Sequence, residues 1–256
     1  MKIHFALIRK ELLEQLRSGR LLILGILFVL LGILGPATAK LTPWIYEMLA
    51  DSMAESGMTL TPVPVTALDA WVQFFKNLLI GIVAFVLLES GIFTREYQSG
   101  TLVLSLTKGL ERHKVVIAKA VILVTLWTLG YWLCAGVTYG YAAYYWDNGI
   151  VKNLLFSLFC SWMFGLWLVA LMILFSTLST SNTGVLAGVG GVAILSYLLG
   201  MLPKVSEYLP TLLTDGTSLI YGSAEPSAYT TPLIIVAAMI PVCFAASIAI
   251  FNRKQL

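Results

Sequence analysis

The chain has 256 residues, of which 59% are hydrophobic and 11% are charged, and its formal net charge is +3. A soluble globule needs more polar surface than this composition supplies, so the sequence indicates an integral membrane protein. The composition also argues against a nucleic-acid-binding protein, because the basic residues are spread along the ends of apolar runs and form no groove-binding patch.

The first twenty residues predict an amphipathic helix that lies in the membrane interface. Apolar residues recur there at helical spacing, with charged residues at or beyond the edges of the stripe. The residues assigned to this interfacial helix are Phe5, Ile8, Arg9, Lys10, Glu11, Leu12 and Leu16. A simple basic anchor before the first span is the alternative interpretation. Ala37-Thr38-Ala39 has the form of a signal-peptidase site, but twenty amphipathic residues before the apolar run favour a retained helix.

Six apolar runs follow, each long enough to cross a hydrocarbon core of roughly 30 Å as a helix. The predicted spans are residues 21–39, 71–93, 120–146, 154–178, 184–202 and 232–251. Helices are expected because strands with open edges would leave backbone amides unpaired in lipid, and the runs lack the alternation of a barrel. We therefore predict an all-α integral membrane protein with a single domain over residues 1–256.

The basic residues predict the orientation of these spans. Twelve of them fall in one set of loops and three in the other, and Lys76 lies inside the second span. The twelve are Lys2, Arg9, Lys10, Arg17, Arg20, Arg95, Lys108, Arg112, Lys114, Lys119, Arg253 and Lys254; the three are Lys40, Lys152 and Lys204. The positive-inside rule then places both termini and the loop of residues 94–119 in the cytoplasm.

Glu89 is the candidate functional charge within a span. It lies near the inner end of the second span, less than about two helical turns from Arg95. A structural ion pair or helix contact is our preferred interpretation, and a substrate or ion site is the alternative. Proton-coupled carriers more often have several ionisable groups near the midplane, so this sequence argues against secondary transport.

The loop between the second and third spans carries the most specific pattern. It begins Arg95-Glu96-Tyr97-Gln98-Ser99-Gly100-Thr101-Leu102 and ends Arg112-His113-Lys114-Val115-Val116-Ile117-Ala118-Lys119. Ser99 or Thr101 can cap a short helix that offers leucines to a groove on a partner. Those leucines are Leu102, Leu106 and Leu110. The alternative is that they rest on the membrane surface.

This loop resembles that of ABC-2 type transporter permeases, in which an acidic residue and a Gly-Thr-Leu step lead into a short apolar helix, followed by an Arg and a Lys seven positions on. The matching residues are Glu96, Gly100, Thr101, Leu102, Arg112 and Lys119. The family usually has Pro-x-Ser-Arg where this chain has Gly109-Leu110-Glu111-Arg112. Arg9-Lys10-Glu11 and Phe251-Asn252-Arg253-Lys254 extend the resemblance to both ends of the sequence.

The resemblance implies the permease subunit of an ATP-driven ABC transporter, an exporter of a peptide antibiotic, a lipid-like molecule or a drug. It implies a homodimer or heterodimer in a bacterial cell membrane, bound to separate ATP-binding subunits. Residues 100–114 would be the coupling helix, and the outer stretch of residues 203–231 would dip back towards the pore. ATP and magnesium are expected on the partner subunits, and this chain is expected to bind no cofactor.

The motifs that the sequence lacks agree with a subunit that is not an enzyme. No G-x-x-x-x-G-K-[ST], G-x-S-x-G or H-E-x-x-H occurs, and the three cysteines have no metal-site spacing. We therefore predict neither catalytic residues nor a metal site. Two other classes remain open: a secondary carrier or channel that works without an ATPase, and a non-transporting membrane scaffold.

Overall fold

A computed structural model describes residues 2–54, 64–102, 107 and 110–254, and each regular element in these ranges is helical. Within these described ranges, six helical stretches are long and apolar enough to cross a membrane, which confirms the all-α class and agrees with the six predicted spans. They are Arg20–Met48, Ala67–Gln98, Arg112–Tyr145, Leu154–Leu178, Asn182–Leu199 and Pro226–Arg253.

We number the α-helices in chain order. They are α1 (Lys2–Arg17), α2 (Arg20–Ala54), α3 (Ala67–Glu89), α4 (Gly91–Gln98), α5 (Arg112–Tyr145), α6 (Leu154–Leu178), α7 (Asn182–Leu199), α8 (Pro203–Ser206), α9 (Gly216–Tyr221) and α10 (Thr230–Arg253). Short 3-10 helices cover Asn148–Ile150, Pro210–Thr214 and Pro226–Tyr229. Several helices begin before or end after the apolar runs, because helical hydrogen bonding continues through polar flanks that a hydropathy pattern does not detect.

Helix α6 is the centre of the bundle, and α7 lies at its periphery. Within the apolar window of each helix, 72% is buried inside the protein for α6 and 11% for α7. Helix α6 packs against α5, α7 and α10, while α2 packs against α3 and α5. Gly165 lets α5 approach α6 closely, since a Cβ there would lie 1.9 Å from Cζ2 of Trp127.

Two residues join α1 to α2. Gly19 has a φ of 72°, a left-handed conformation that glycine adopts without steric cost. Its amide donates to the carbonyl of Leu16, and the Ser18 hydroxyl donates to the carbonyl of Gln15. The chain therefore turns sharply between the two helices.

At the far end of the bundle, the segment from Pro210 to Tyr221 folds back against the spans. Leu213 is fully buried, and its carbonyl accepts a hydrogen bond of 3.2 Å from the Ser161 hydroxyl. Gly216 lies against the ring of Phe75. Because Ser161 is seven residues inside α6, this segment reaches about 10 Å below the start of that helix.

Candidate functional site at the basic end of the bundle

The candidate site is the end of the bundle at which α1 is docked, and we call it the basic end. Lys10, Arg20, Arg112, Lys119 and Lys254 define it. Helix α1 packs there against α5 and α2. The side chains of these five residues connect the ends of five of the six spans.

Helix α1 contacts the bundle through its polar side. Glu11 and Gln15 are only 4% and 3% exposed, and Ile8 is the member of the predicted stripe that packs against the core. The remaining residues assigned to the apolar stripe and its edge are exposed: Phe5, Arg9, Lys10, Leu12 and Leu16. The physical reason is that the bundle presents Lys119 and Glu89 to α1, and buried charges need polar partners.

The first cluster surrounds Lys119, whose side chain is fully buried. Its Nζ lies 3.0 and 2.9 Å from the two carboxylate oxygens of Glu11 and 3.2 Å from Oε2 of Glu96. It also donates to the carbonyl of Ile92 at 2.9 Å. Lys10 pairs with the other oxygen of Glu96. Two acids and two lysines therefore tie α1, α4 and α5 together with no net charge.

The pairing also shifts the titration of Lys10. Partial burial on its own would lower the pKa of the Lys10 ammonium, but the hydrogen bond from Lys10 to Glu96 and the nearby charge of Glu11 outweigh that effect and raise the pKa above its ordinary value. Lys10 therefore keeps its charge, and with it the pairing with Glu96, at neutral pH.

Carboxylate oxygens of Glu11, Glu14 and Glu96 lie within 4.8 Å of one another, a spacing that a metal ion could bridge. Lys119 already contacts two of these acids, and Lys10 lies within ion-pair distance of all three. The ammonium groups therefore already contact the carboxylates that a metal ion would need, and we assign no metal to this acidic cluster.

The second cluster lies at the end of α3, where Glu89 is fully buried. Gln15 Nε2 of α1 donates to Glu89 Oε2 at 2.6 Å. Nη1 of Arg20, the first residue of α2, lies 3.9 Å from the same oxygen. Glu89 thus connects its span with α1 and α2, and its described ion pair is with Arg20 instead of the neighbouring Arg95.

The connecting segment after α4 is anchored at both ends. Gly100 has a φ of 69°, and Thr101 is exposed. Leu102 is 1% exposed, and Leu110 packs against the core. Leu102 is therefore an internal contact, while Leu110 is only partly buried. Leu106 lies outside the described residues.

Arg112 and Lys254 fasten the last helix to the others. Arg112 Nη1 donates to the carbonyl of Phe251 at 3.2 Å and also to that of Lys254. Lys254 Nζ donates to the carbonyl of Thr177 at the end of α6 at 2.9 Å, and it lies 4.5 Å from the centre of the Tyr97 ring. These contacts place positive charge at the carbonyl ends of α6 and α10, where it is stabilising.

The residue pattern had not predicted roles for Gln15, Arg20, Phe251 and Lys254. Gln15 offered a signal, since it is a polar residue on the same helical face as Glu11. Phe251 offered no such signal, because in the sequence it resembles any other apolar residue of a span. In the structure its ring is fully buried and packs edge-on against Phe93. The arrangement as a whole holds helix ends together, and its acids and bases largely neutralise one another.

A family model described as ABC-2 family transporter protein matches residues 5–256. The comparison with curated proteins finds no match. The family match and the six apolar helices establish a multi-pass membrane protein of a family whose permeases associate with ABC ATP-binding subunits. The chain belongs to the ABC-2 transporter family, as the permease subunit of an ABC transporter.

Proposed function

We propose that this permease is an exporter, driven by two separate ATP-binding subunits that bind at the basic end. In this proposal the basic end faces the cytoplasm of a bacterial cell, as the distribution of Lys and Arg favours. ATP and magnesium bind to the partner subunits, and the permease works as a homodimer or heterodimer. The substrate is a peptide antibiotic, a lipid-like molecule or a drug.

The observation that carries the proposal is the attachment of the segment between α4 and α5. On its α4 side, Glu96 is bonded to Lys119 and Lys10. On its α5 side, Arg112 is bonded to the carbonyl of Phe251 in α10. A displacement of this segment is therefore resisted at once by α1, α5 and α10.

This attachment supports a coupling role for residues 100–114. A partner subunit that pushes on the exposed part of the segment, which includes Gly100 and Thr101, would move the helix ends together, because charged contacts fix them to one another. Packed helix ends with two discrete arrangements are the kind of element through which distant sites are coupled. Closure of the ATP-binding subunits would then shift the spans between inward-open and outward-open states.

A groove between α3, α6 and α7 supports a lipid-like or drug-like substrate. Its volume is about 240 Å³. Its lining is almost wholly apolar and includes Leu79, Val86, Phe164, Leu168 and Val189. Apolar grooves of this size accept an acyl chain or a small aromatic molecule more readily than a polar peptide.

The exposed apolar face of α7 supports dimerisation. Ile194, Leu195 and Leu198 are all more than half exposed. On the same helix, Gly188 is packed against Phe175 of α6, and Gly184 is packed against Ser179, which directly follows α6. The glycines thus serve packing within the subunit, and the leucine-rich face remains for a second permease or for lipid.

The test is affinity purification of the tagged protein from its native membranes, with mass spectrometry of bound proteins and an ATPase assay. We expect a bound ATP-binding subunit that is lost in Leu106→Asp and retained in Met201→Asp, a control at an exposed apolar position at the opposite end of the bundle. A well-inserted Leu106→Asp variant that still binds the ATPase would contradict the coupling assignment. An ATPase-free wild-type complex would contradict the transporter proposal.

A further inference from the structure

Glu89 and Gln15 bury two oxygen atoms that have no hydrogen-bond donor. Glu89 is 0% exposed and Gln15 is 3% exposed. One contact between them is made, from Gln15 Nε2 to Glu89 Oε2 at 2.6 Å. The second oxygen of each group, Oε1 in both cases, is buried without a partner among the residues that the structure describes. Because buried polar atoms in proteins are nearly always paired, this arrangement calls for one further donor.

A proton on Glu89 supplies the missing donor. An ionised carboxylate can only accept hydrogen bonds, whereas a carboxylic acid has one O–H donor and keeps acceptor capacity. A carboxylic acid and a carboxamide can face each other and bond twice. The Gln15 amide then donates to Oε2 of Glu89, as observed, and the new O–H of Glu89 donates to Oε1 of Gln15.

Of the two charged groups that face Glu89, one favours its ionised form and the other opposes it. Arg20 of α2 is the facing cation, and its Nη1 lies 3.9 Å away from Oε2, the oxygen that Gln15 already contacts. Glu14 of α1 contributes a second negative charge to the same surroundings. A fully buried carboxylate is expensive when its one ion pair is as long as 3.9 Å and a second acid lies nearby, and such a group favours the neutral form.

We propose that Glu89 is a proton-binding site, which holds a proton while α1 is docked and releases it when Gln15 moves away. On release the O–H bond of the carboxylic acid breaks, the proton passes to water, and the carboxylate remains beside Arg20. Docking of α1 therefore takes up one proton, and a higher pH favours undocking. This inference concerns α1 alone and does not depend on the proposed ATPase partner.

Infrared difference spectroscopy of the purified full-length protein tests the protonation. At neutral pH we expect a carbonyl stretching band of a protonated carboxylic acid that shifts in D₂O and on labelling with ¹³C-glutamate. The band should disappear in Glu89→Gln and remain in Glu111→Gln, a control at an exposed acid. Absence of the band from folded wild-type protein, or its survival in Glu89→Gln, would overturn the proposal.

Spin labels on α1 and α3 test the link to docking. Leu12 and Leu87 are exposed, at 41% and 55%, so labels at these positions should not disturb the core. Pulsed electron paramagnetic resonance measures the distance distribution between the two labels and should show that the undocked fraction rises with pH. The ratio of docked to undocked protein should fall up to about tenfold per pH unit. In Glu89→Gln, whose amide can make the same two bonds with Gln15, this dependence should vanish. A wild-type distance distribution that is independent of pH, or equally dependent in both proteins, would overturn the linkage.

Discussion

Helix α1 is held at two buried acidic clusters that differ in their supply of donors. Around Lys119, two carboxylates meet two ammonium groups, and each acid has a cation within 3.3 Å. Around Glu89, one carboxyl meets an amide at 2.6 Å and a guanidinium at 3.9 Å. The comparison shows that burial alone does not determine the role of an acid, because the number of nearby donors decides whether charge can be kept.

Lys119→Met should give the largest effect, since it leaves Glu11 and Glu96 buried without their central cation. We expect a loss of about 3–5 kcal/mol in the free energy of unfolding, measured by thermal unfolding in detergent. Lys114→Met is the matched control on the same helix, because Lys114 pairs with the exposed Glu111; its cost should be about 0–1 kcal/mol. Equal losses in both variants would show that the buried cluster contributes no more to the free energy of unfolding than an exposed ion pair does.

The same substitution, Glu to Gln, should have different effects on stability in the two clusters. Glu96→Gln removes the charge that Lys119 and Lys10 require, and it should cost about 1.5–3 kcal/mol. Glu89→Gln replaces a carboxyl by an amide of the same shape and should leave the melting temperature nearly unchanged. Melting both variants side by side checks the contrast, and a larger loss for Glu89→Gln would mean that Glu89 acts as an ion.

Gln15→Leu tests the hydrogen bond between Gln15 and Glu89 in the second cluster. It removes the donor to Glu89 and should cost roughly 1–3 kcal/mol, because a buried acid then lacks its partner. The double variant Gln15→Leu, Glu89→Leu should lose less than the sum of the two single losses, since the bond between Gln15 and Glu89 can be lost only once, although Arg20 also loses its ion-pair partner. A thermal double-mutant cycle gives the coupling energy, and additive losses would argue against direct pairing.

The smallest effect is expected on the exposed side of α1. Leu16→Ala should change stability in detergent by less than about 0.5 kcal/mol, because Leu16 is 52% exposed. Ile8→Ala is the comparison, since Ile8 packs against the core and its truncation should lower the melting temperature measurably. A larger loss for Leu16→Ala would indicate that α1 docks through its leucines.

The spans could be predicted from the sequence alone, because a run of about twenty apolar residues has the length of a helix that crosses a membrane. For α1 the residue pattern predicted an amphipathic helix with an apolar stripe, but it did not predict which of the polar residues contact the bundle. Its neighbours are the charged ends of other helices, so the polar face turned inward. That Lys119 meets Glu11 across 108 positions is a tertiary fact with no local signal.

Only part of the candidate site could be predicted from the sequence, because its contacts join residues that are far apart in the chain. Glu96, Arg112 and Lys119 stood out through a family resemblance, but the resemblance gave no hint that they bond within the chain. Leu102 was predicted to contact a partner, yet it lies in the core, since the spacing of leucines along a helix does not reveal whether they face the same chain or another one. Gln15 and Arg20 acquire their meaning from Glu89, which is 74 and 69 positions away, respectively.

Only Ser18 and Gly19 connect α1 to the first span, so α1 can rotate as a rigid helix about this short connection. Two residues reach at most about 7 Å, whereas the sixteen residues of α1 extend roughly 24 Å. A small rotation at the pivot is therefore magnified severalfold at the far tip near Phe5. Conversely, a modest sideways force on that tip exerts its greatest torque where Arg20 starts the first span.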